Sequence, residues 1–323
     1  FGHAGEDALS EWFQRDGHRH LKDLSQEHKN DILRFEGNAQ GLRMLAQTEN
    51  FLFEGGLRLT YAVLGAFIKY PWTSNTAKAS ETNKFGAYIS EEQVLNQIAA
   101  KTGLIPKGKN CWCRHPLAFL TEAADDICYS IIDLEDAVEL GVLTFKEAKD
   151  LLLKALDAED QNKVKRVLQD DKYHRVNFAR IRGPVFRSLI NTAIDGFMNH
   201  YTDILDGKYE NDFLSLLAPR SPAKIVIERA KNIGKTRIYN DKYKREVEMG
   251  CYSALGRILD AFCQAAIERA KFLNSNGETC TSGISKLILS HMGNHAPSKK
   301  NSPDGQWTEY SCLRRTLDYV SGM

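Results

Sequence analysis

An excess of either charge is missing from this chain: 43 Lys and Arg stand against 42 Asp and Glu over 323 residues, a formal charge of +1. So neutral a polypeptide has no overall field to gather nucleic acid or anionic lipid, and such a partner has to meet a local patch. Proline is scarce, at 8, beside 23 glycines, which excludes collagenous and Pro/Gly-rich disordered classes. Long apolar runs are also missing. Residues 59–68 form a run of ten that includes Thr60 and Tyr61, where a spanning helix needs about 18; it reads as a buried helix. The seven cysteines, an odd number, follow no disulfide framework. With no secretory leader visible, a reducing cytoplasm is the expected compartment. Internal repeats, a P-loop and a Gly-x-Ser-x-Gly elbow are absent from the sequence. Phe1 in first place and the tail from Tyr319 to Met323 suggest a piece of a longer polypeptide.

What remains is an ordinary globular composition, 42% hydrophobic and 26% charged, with a dominant helical period. The spacing predicts helices over residues 6–15, 28–48, 117–140, 178–204, 249–272 and 308–320. Ser90 with Gln93 and Thr144 with Glu147 have capping-box spacing, which marks two further helix starts. Strand signals are few: residues 224–228 and 235–239 read as short strands about an Asn232–Gly234 turn. Loops are expected at 74–84, 217–222 and 296–306. The fold class expected is all-α, in a single domain over 1–323.

Four clusters carry candidate chemistry. His3 and Glu6 are three apart and share a helix face, so an imidazole and a carboxylate act on one point, the usual general acid/base device; a helix-start carboxylate is the plain alternative. Glu122, Asp125, Tyr129, Asp133 and Asp136 share one side of a helix, with Ala123, Ala124, Ile127, Cys128, Ile131 and Leu134 opposite. No Lys or Arg occurs from Thr121 to Leu143. An unneutralised carboxylate row suits a divalent cation, and simple amphipathicity is the alternative. In the run Phe35 to Gln40, Gly37 needs a packing or close-approach reason to interrupt a helical pattern, and Asn38 and Gln40 offer hydrogen bonds. Lys69-Tyr70-Pro71-Trp72, followed by Lys84-Phe85-Gly86, places a cation among rings, as for a phosphate on a sugar, or else ends a helix at Pro71. Between Lys224 and Arg245 lies a basic stretch, and Cys111, Cys113 and His115 fall short of a zinc site. His18-Arg19-His20 reads as a surface turn.

Taken in order, the runs Phe1 to Glu6, Phe35 to Gln40, Lys69 to Trp72 with Lys84 to Gly86, Glu122 to Tyr129 and Leu317 to Met323 closely resemble the bacterial deoxyguanosine triphosphate triphosphohydrolase family, part of the HD-domain metal-dependent phosphohydrolases. The resemblance spans the chain. It implies a helical enzyme that hydrolyses a deoxynucleoside triphosphate, dGTP favoured, to the deoxynucleoside and inorganic triphosphate. Asp125 matches a ligand of a divalent metal, Mg or Mn. His3 and Glu6 match the catalytic pair, Lys69 and Tyr70 a polyphosphate-binding pair, Tyr129 and Asp133 contacts to the deoxyribose, and Asn38 a further substrate contact. The family's first His and its His-Asp dyad would fall before Phe1, so residues 1–323 are expected not to complete the metal site alone. A homo-oligomer, hexameric in some members, and a nucleotide or single-stranded DNA effector are also implied. The alternatives are a relative acting on another nucleotide, and a non-catalytic nucleotide- or DNA-binding homologue.

Overall fold

The computed structural model describes residues 2–49, 56–275, 281–299 and 306–323. The chain is all-α. Its helices are α1 (Gly2–Gln14), α2 (Gln26–Leu33), α3 (Gly37–Arg43), α4 (Tyr61–Phe67), α5 (Ala77–Thr82), α6 (Glu92–Thr102), α7 (Pro116–Glu139) and α8 (Phe145–Leu152). They continue with α9 (Ala158–Val167), α10 (His174–Asn199), α11 (Tyr201–Leu205), α12 (Phe213–Leu216), α13 (Pro222–Ile233), α14 (Lys242–Asn274), α15 (Gly283–Met292) and α16 (Glu309–Ser321). Two short strands, β1 (Pro106–Gly108) and β2 (Cys111–Trp112), pair antiparallel. No helix among the described residues is long and apolar enough to cross a membrane.

The residues group into two compact units: residues 1–64, 70–112 and 247–323 form one, residues 65–69 and 113–246 the other. In the first, Leu9, Phe13, Ile32, Leu259, Cys263, Leu313 and Leu317 make one apolar core, and Ala39, Trp72, Phe85 and Tyr88 a second cluster. In the second, Phe119, Ile127, Ile131 and Leu134 of α7 pack with Phe178, Ile181, Val185 and Leu189 of α10 and with Val226 and Ile227 of α13.

Several local expectations are corrected. The helix expected over 28–48 is broken at residues 34–36, because Glu36 is extended and caps α3, its side chain accepting from the Asn38 N–H. Gly37 is therefore the first residue of a helix, where its missing side chain costs little. The strands expected at 224–228 and 235–239 are helical. Ser221 caps α13 with Pro222 in the first position, and Ala223, Val226, Ile227 and Ala230 bury one face at helical spacing. Residues 74–84 hold α5, capped by Thr76. Ser90 caps nothing: Glu91 precedes α6, and the Ser90 hydroxyl donates to the Glu91 carboxylate at 2.9 Å. Thr144 and Glu147 do form both arms of their capping box. In the 59–68 run, Leu64 and Ile68 are buried while Tyr61 and Val63 are exposed. His20 is buried in a 3-10 turn, and that burial lowers its pKa to about 4. Part of the 296–306 loop lies outside the described residues, as does Cys280.

Candidate functional site

In the first unit α1 carries exposed His3 and, one turn on, half-buried Glu6. Glu6 meets the break between α2 and α3. The Gly37 N–H donates to its carboxylate, and a Cβ on Gly37 would stand 2.4 Å from Glu6 Oε1. Close approach is thus the reason for this glycine. The neighbouring Glu36 is buried and accepts from the Asn38 amide at 2.6 Å. Lys84 Nζ lies 2.8 Å from Glu36 Oε2 and 3.9 Å from Glu6 Oε2. Burial first, then the Glu36 charge, raises the Glu6 pKa, against the pull of Lys84, His3 and the Gly37 N–H. Burial tends to lower the Lys84 pKa, but its carboxylate partners more than offset this and hold it charged. Glu6, Glu36 and Lys84 line a cavity of about 650 Å³, whose wall also includes Arg34 and Tyr252. Tyr70 packs on the Trp72 ring at 5.6 Å in the same unit.

In the second unit the acidic side of α7 is not bare, contrary to the expectation of an unneutralised row. Glu122 is buried, bridged by Lys69 Nζ at 3.2 Å and Arg114 Nη1 at 2.8 Å, and it also accepts from the Phe213 N–H at 3.1 Å. Lys231 pairs with Asp126 at 2.8 Å and Arg182 with Glu135 at 2.7 Å. Charges distant in sequence supply what the 121–143 stretch lacks. Ala124 and Cys128, placed with the apolar face, are exposed. Asp125 has its pKa raised, first by partial desolvation, with Lys69 and Lys231 pulling it down and Asp126 and Glu122 pushing it up. One turn on, Tyr129 is 59% exposed. Asp133 accepts from the Tyr239 hydroxyl at 2.8 Å, and burial together with that carboxylate pushes the Tyr239 phenol up to about 12.

The candidate residues thus fall into two local sets. His3, Glu6, Asn38 and Tyr70 belong to the first unit, and Lys69, Asp125, Tyr129 and Asp133 to the second. Glu36 and Lys84, both inside quoted motifs, join the first set. Arg114 and Tyr239 had no local signal, because only tertiary contact brings them to α7. Among the described residues no three His, Cys, Asp or Glu side chains converge to hold a metal ion. Cys111, Cys113 and His115 are included in that statement.

An all-α chain with paired acid and base groups along its helices is compatible with many hydrolases, and comparison with known proteins narrows it. No family model matches the chain. It is 40% identical over 326 residues to a deoxyguanosinetriphosphate triphosphohydrolase-like protein of Pseudomonas aeruginosa, covering 100% of this chain and 70% of the relative. A like-named protein of Synechocystis is 30% identical over 335 residues, again over 100% of this chain and 70% of the relative. A deoxyguanosinetriphosphate triphosphohydrolase of Enterobacter is 24% identical over 380 residues, covering 100% of this chain and 72% of the relative. The chain belongs to the deoxyguanosinetriphosphate triphosphohydrolase family.

Proposed function

We propose that the protein hydrolyses a deoxynucleoside triphosphate, with dGTP the favoured substrate, releasing the deoxynucleoside and inorganic triphosphate. The observation that carries this is the 40% identity, across the whole chain, to a protein named deoxyguanosinetriphosphate triphosphohydrolase-like. Water attacks the α-phosphorus, the bond from phosphorus to the 5′-oxygen breaks, and the departing oxygen takes a proton. His3 supplies that proton or directs the water, and Glu6 fixes the protonation state of the ring.

Lys69 and Tyr70 bind the polyphosphate, Lys69 as a point charge, and Asn38 adds a hydrogen bond. Asp133 accepts from the 3′-hydroxyl of the sugar. Its bond to Tyr239 uses Oδ2, and an ionised carboxylate has further lone pairs to offer. Tyr129 packs against the sugar where a 2′-hydroxyl would sit, so ribose is excluded. Asp125 serves as one oxygen ligand of a divalent ion, Mg or Mn. Such an ion, when bound, neutralises charge on phosphate oxygens. The described residues do not form a metal site by themselves, so no step is routed through it.

The test is product analysis with the full-length protein, each of the four deoxynucleoside triphosphates, and Mg or Mn. Triphosphate release, fastest from dGTP and abolished by His3→Ala or Asp125→Ala, is expected. Pyrophosphate or single-phosphate release would identify a relative with different chemistry, and binding without turnover a non-catalytic homologue.

A further inference from the structure

Glu36 is clamped from three sides. Its N–H donates to the Tyr88 hydroxyl and its carbonyl accepts from the same hydroxyl, both at 3.2 Å, and Tyr88 is fully buried. The Glu36 carboxylate divides its oxygens between two partners. Oε1 accepts from the Asn38 N–H at 3.3 Å and from the Asn38 side-chain amide, and Oε2 accepts from Lys84 Nζ at 2.8 Å. Lys84 is held as firmly. The Trp72 indole N–H donates to its carbonyl at 2.6 Å, and its own N–H donates to the Thr82 hydroxyl at 3.3 Å. The next residue, Phe85, is anchored in the core. A charged pair on two anchored backbones is a fixed support on which neighbouring side chains can be aimed.

That support reaches Glu6 by two routes. Lys84 Nζ stands 3.9 Å from Glu6 Oε2, and the Gly37 N–H, between Glu36 and Asn38, donates to the Glu6 carboxylate. The other charged or titratable groups around Glu6 are His3 and Asp7 of its own helix, Arg34 before Glu36, and Tyr252 of α14. Arg34 is committed elsewhere, donating to the carbonyls of Ser74 and Ala79. Glu36 and Lys84 are thus the opposed charges set against Glu6, and Lys84 is closer to Glu36 than to Glu6.

We infer that Glu36 and Lys84 are positioning residues for the hydrolysis: Glu36 holds the Asn38 amide toward the substrate and tethers Lys84, so that the ammonium steadies Glu6 without capturing it from His3. The inference rests on the roles proposed above for His3, Glu6 and Asn38. Glu36→Gln keeps the shape and leaves an oxygen for Asn38, but it turns an NH2 toward Lys84, which is then released to pair with Glu6. Lys84→Met takes the cation from both carboxylates. The two variants act on Glu6 and His3 with opposite sign. Losing a negative neighbour and gaining Lys84 makes these groups shed a proton more readily, and losing a positive neighbour makes them hold it. That sign is the same whichever of the two carries the observed titration.

The test is turnover of dGTP against pH in the full-length protein with Mg or Mn. The acid limb is expected to move down by about one pH unit in Glu36→Gln and up by about one in Lys84→Met. Lys84→Arg, which can still pair, keeps the limb near its native place. The double variant Glu36→Gln with Lys84→Met brings it back toward native, because both charges go together. It strands no buried charge, and so guards against a single variant that merely misfolds. Glu36→Ala, which also releases Asn38, is expected to raise KM by roughly threefold to tenfold, about the worth of one hydrogen bond, where Glu36→Gln does not. Carbon-13 NMR of labelled glutamate side chains, with the Glu6 signal assigned by its loss in Glu6→Gln, reads the same opposite displacements without turnover. A protein that hydrolyses no nucleotide would therefore sink the proposed function and leave this titration to decide on the pair. Single variants that shift the Glu6 titration in one direction, or not at all, would overturn the inference. So would Lys84→Arg behaving like Lys84→Met, a Glu6 titration that moves while the acid limb stays, or equal KM in the Ala and Gln variants.

Discussion

Replacing Arg43 by Met is expected to unfold the first unit far more readily than its modest change in volume suggests. The Arg43 guanidinium holds Asp318 with two bonds, Nε to Oδ1 at 2.7 Å and Nη2 to Oδ2 at 2.8 Å, and reaches Glu91 Oε1 through Nη1 at 2.6 Å. Glu91 is fully buried and Asp318 only 4% exposed. Methionine keeps most of the packing and removes the charge, which strands two carboxylates out of water. Breaking a buried pair by removing one partner costs about 3–5 kcal/mol, or a fall in Tm of roughly 6–20 °C.

The pH dependence gives a second check on the same network. Burial alone would push Asp318 up, but Arg43 more than offsets it and holds the carboxyl below its usual range. Its contribution to stability is therefore present above the unfolded pKa and lost as pH falls through the depressed folded value. Glu91 has its pKa raised by burial despite Arg43, so its charged form costs stability at neutral pH and the cost fades in acid. Without Arg43 both carboxyls move up and protonate more easily. The deficit of the variant is thus largest at neutral pH and shrinks in mild acid. Urea unfolding followed by tryptophan fluorescence is the assay, since all four tryptophans lie in this unit. A loss under about 1 kcal/mol, the worth of an exposed pair, would refute the reasoning. So would a deficit that grows on acidification.

Gly37→Ala places a methyl 2.4 Å from Glu6 Oε1 at a helix position that otherwise tolerates alanine. The expected outcome is a stability change within about 1 kcal/mol and a turnover number lower by roughly tenfold to a hundredfold in the full-length protein, because the carboxylate must move. Unchanged turnover in a steady-state assay would remove Glu6 from the reaction. Asp133→Asn takes away the charge facing Tyr239, so the phenol is expected to ionise at lower pH than the native value of about 12. A tyrosine-labelled NMR titration reads this directly, and an unmoved Tyr239 would show that burial alone sets it.

Long periodic stretches were legible before any coordinates. Residues 117–140 and 308–320 carry enough apolar spacing to specify helices, and Thr144 with Glu147 forms the capping box that its spacing implies. Where a residue supports two local readings, the pattern misled. Ile225, Val226 and Ile227 are β-branched and apolar, yet Ser221 and Pro222 start a helix there, and the buried face of α13 decides the matter. Residues 28–48 show a nearly continuous helical period, but Glu36 spends its carboxylate on capping and on Lys84, which breaks the helix and brings Gly37 to Glu6.

The sequence by itself determined the helical class and the family and named candidate side chains, because these depend on residue type and short spacing. Only the tertiary structure decided the electrical state of those side chains. The 121–143 stretch contains no cation, yet Lys69, Arg114 and Lys231 neutralise Glu122 and Asp126 from positions up to 105 residues away. Net neutrality in the composition says nothing about where opposite charges meet. Coulomb energy depends on distance and burial in space, and the separation of two residues along the chain fixes neither.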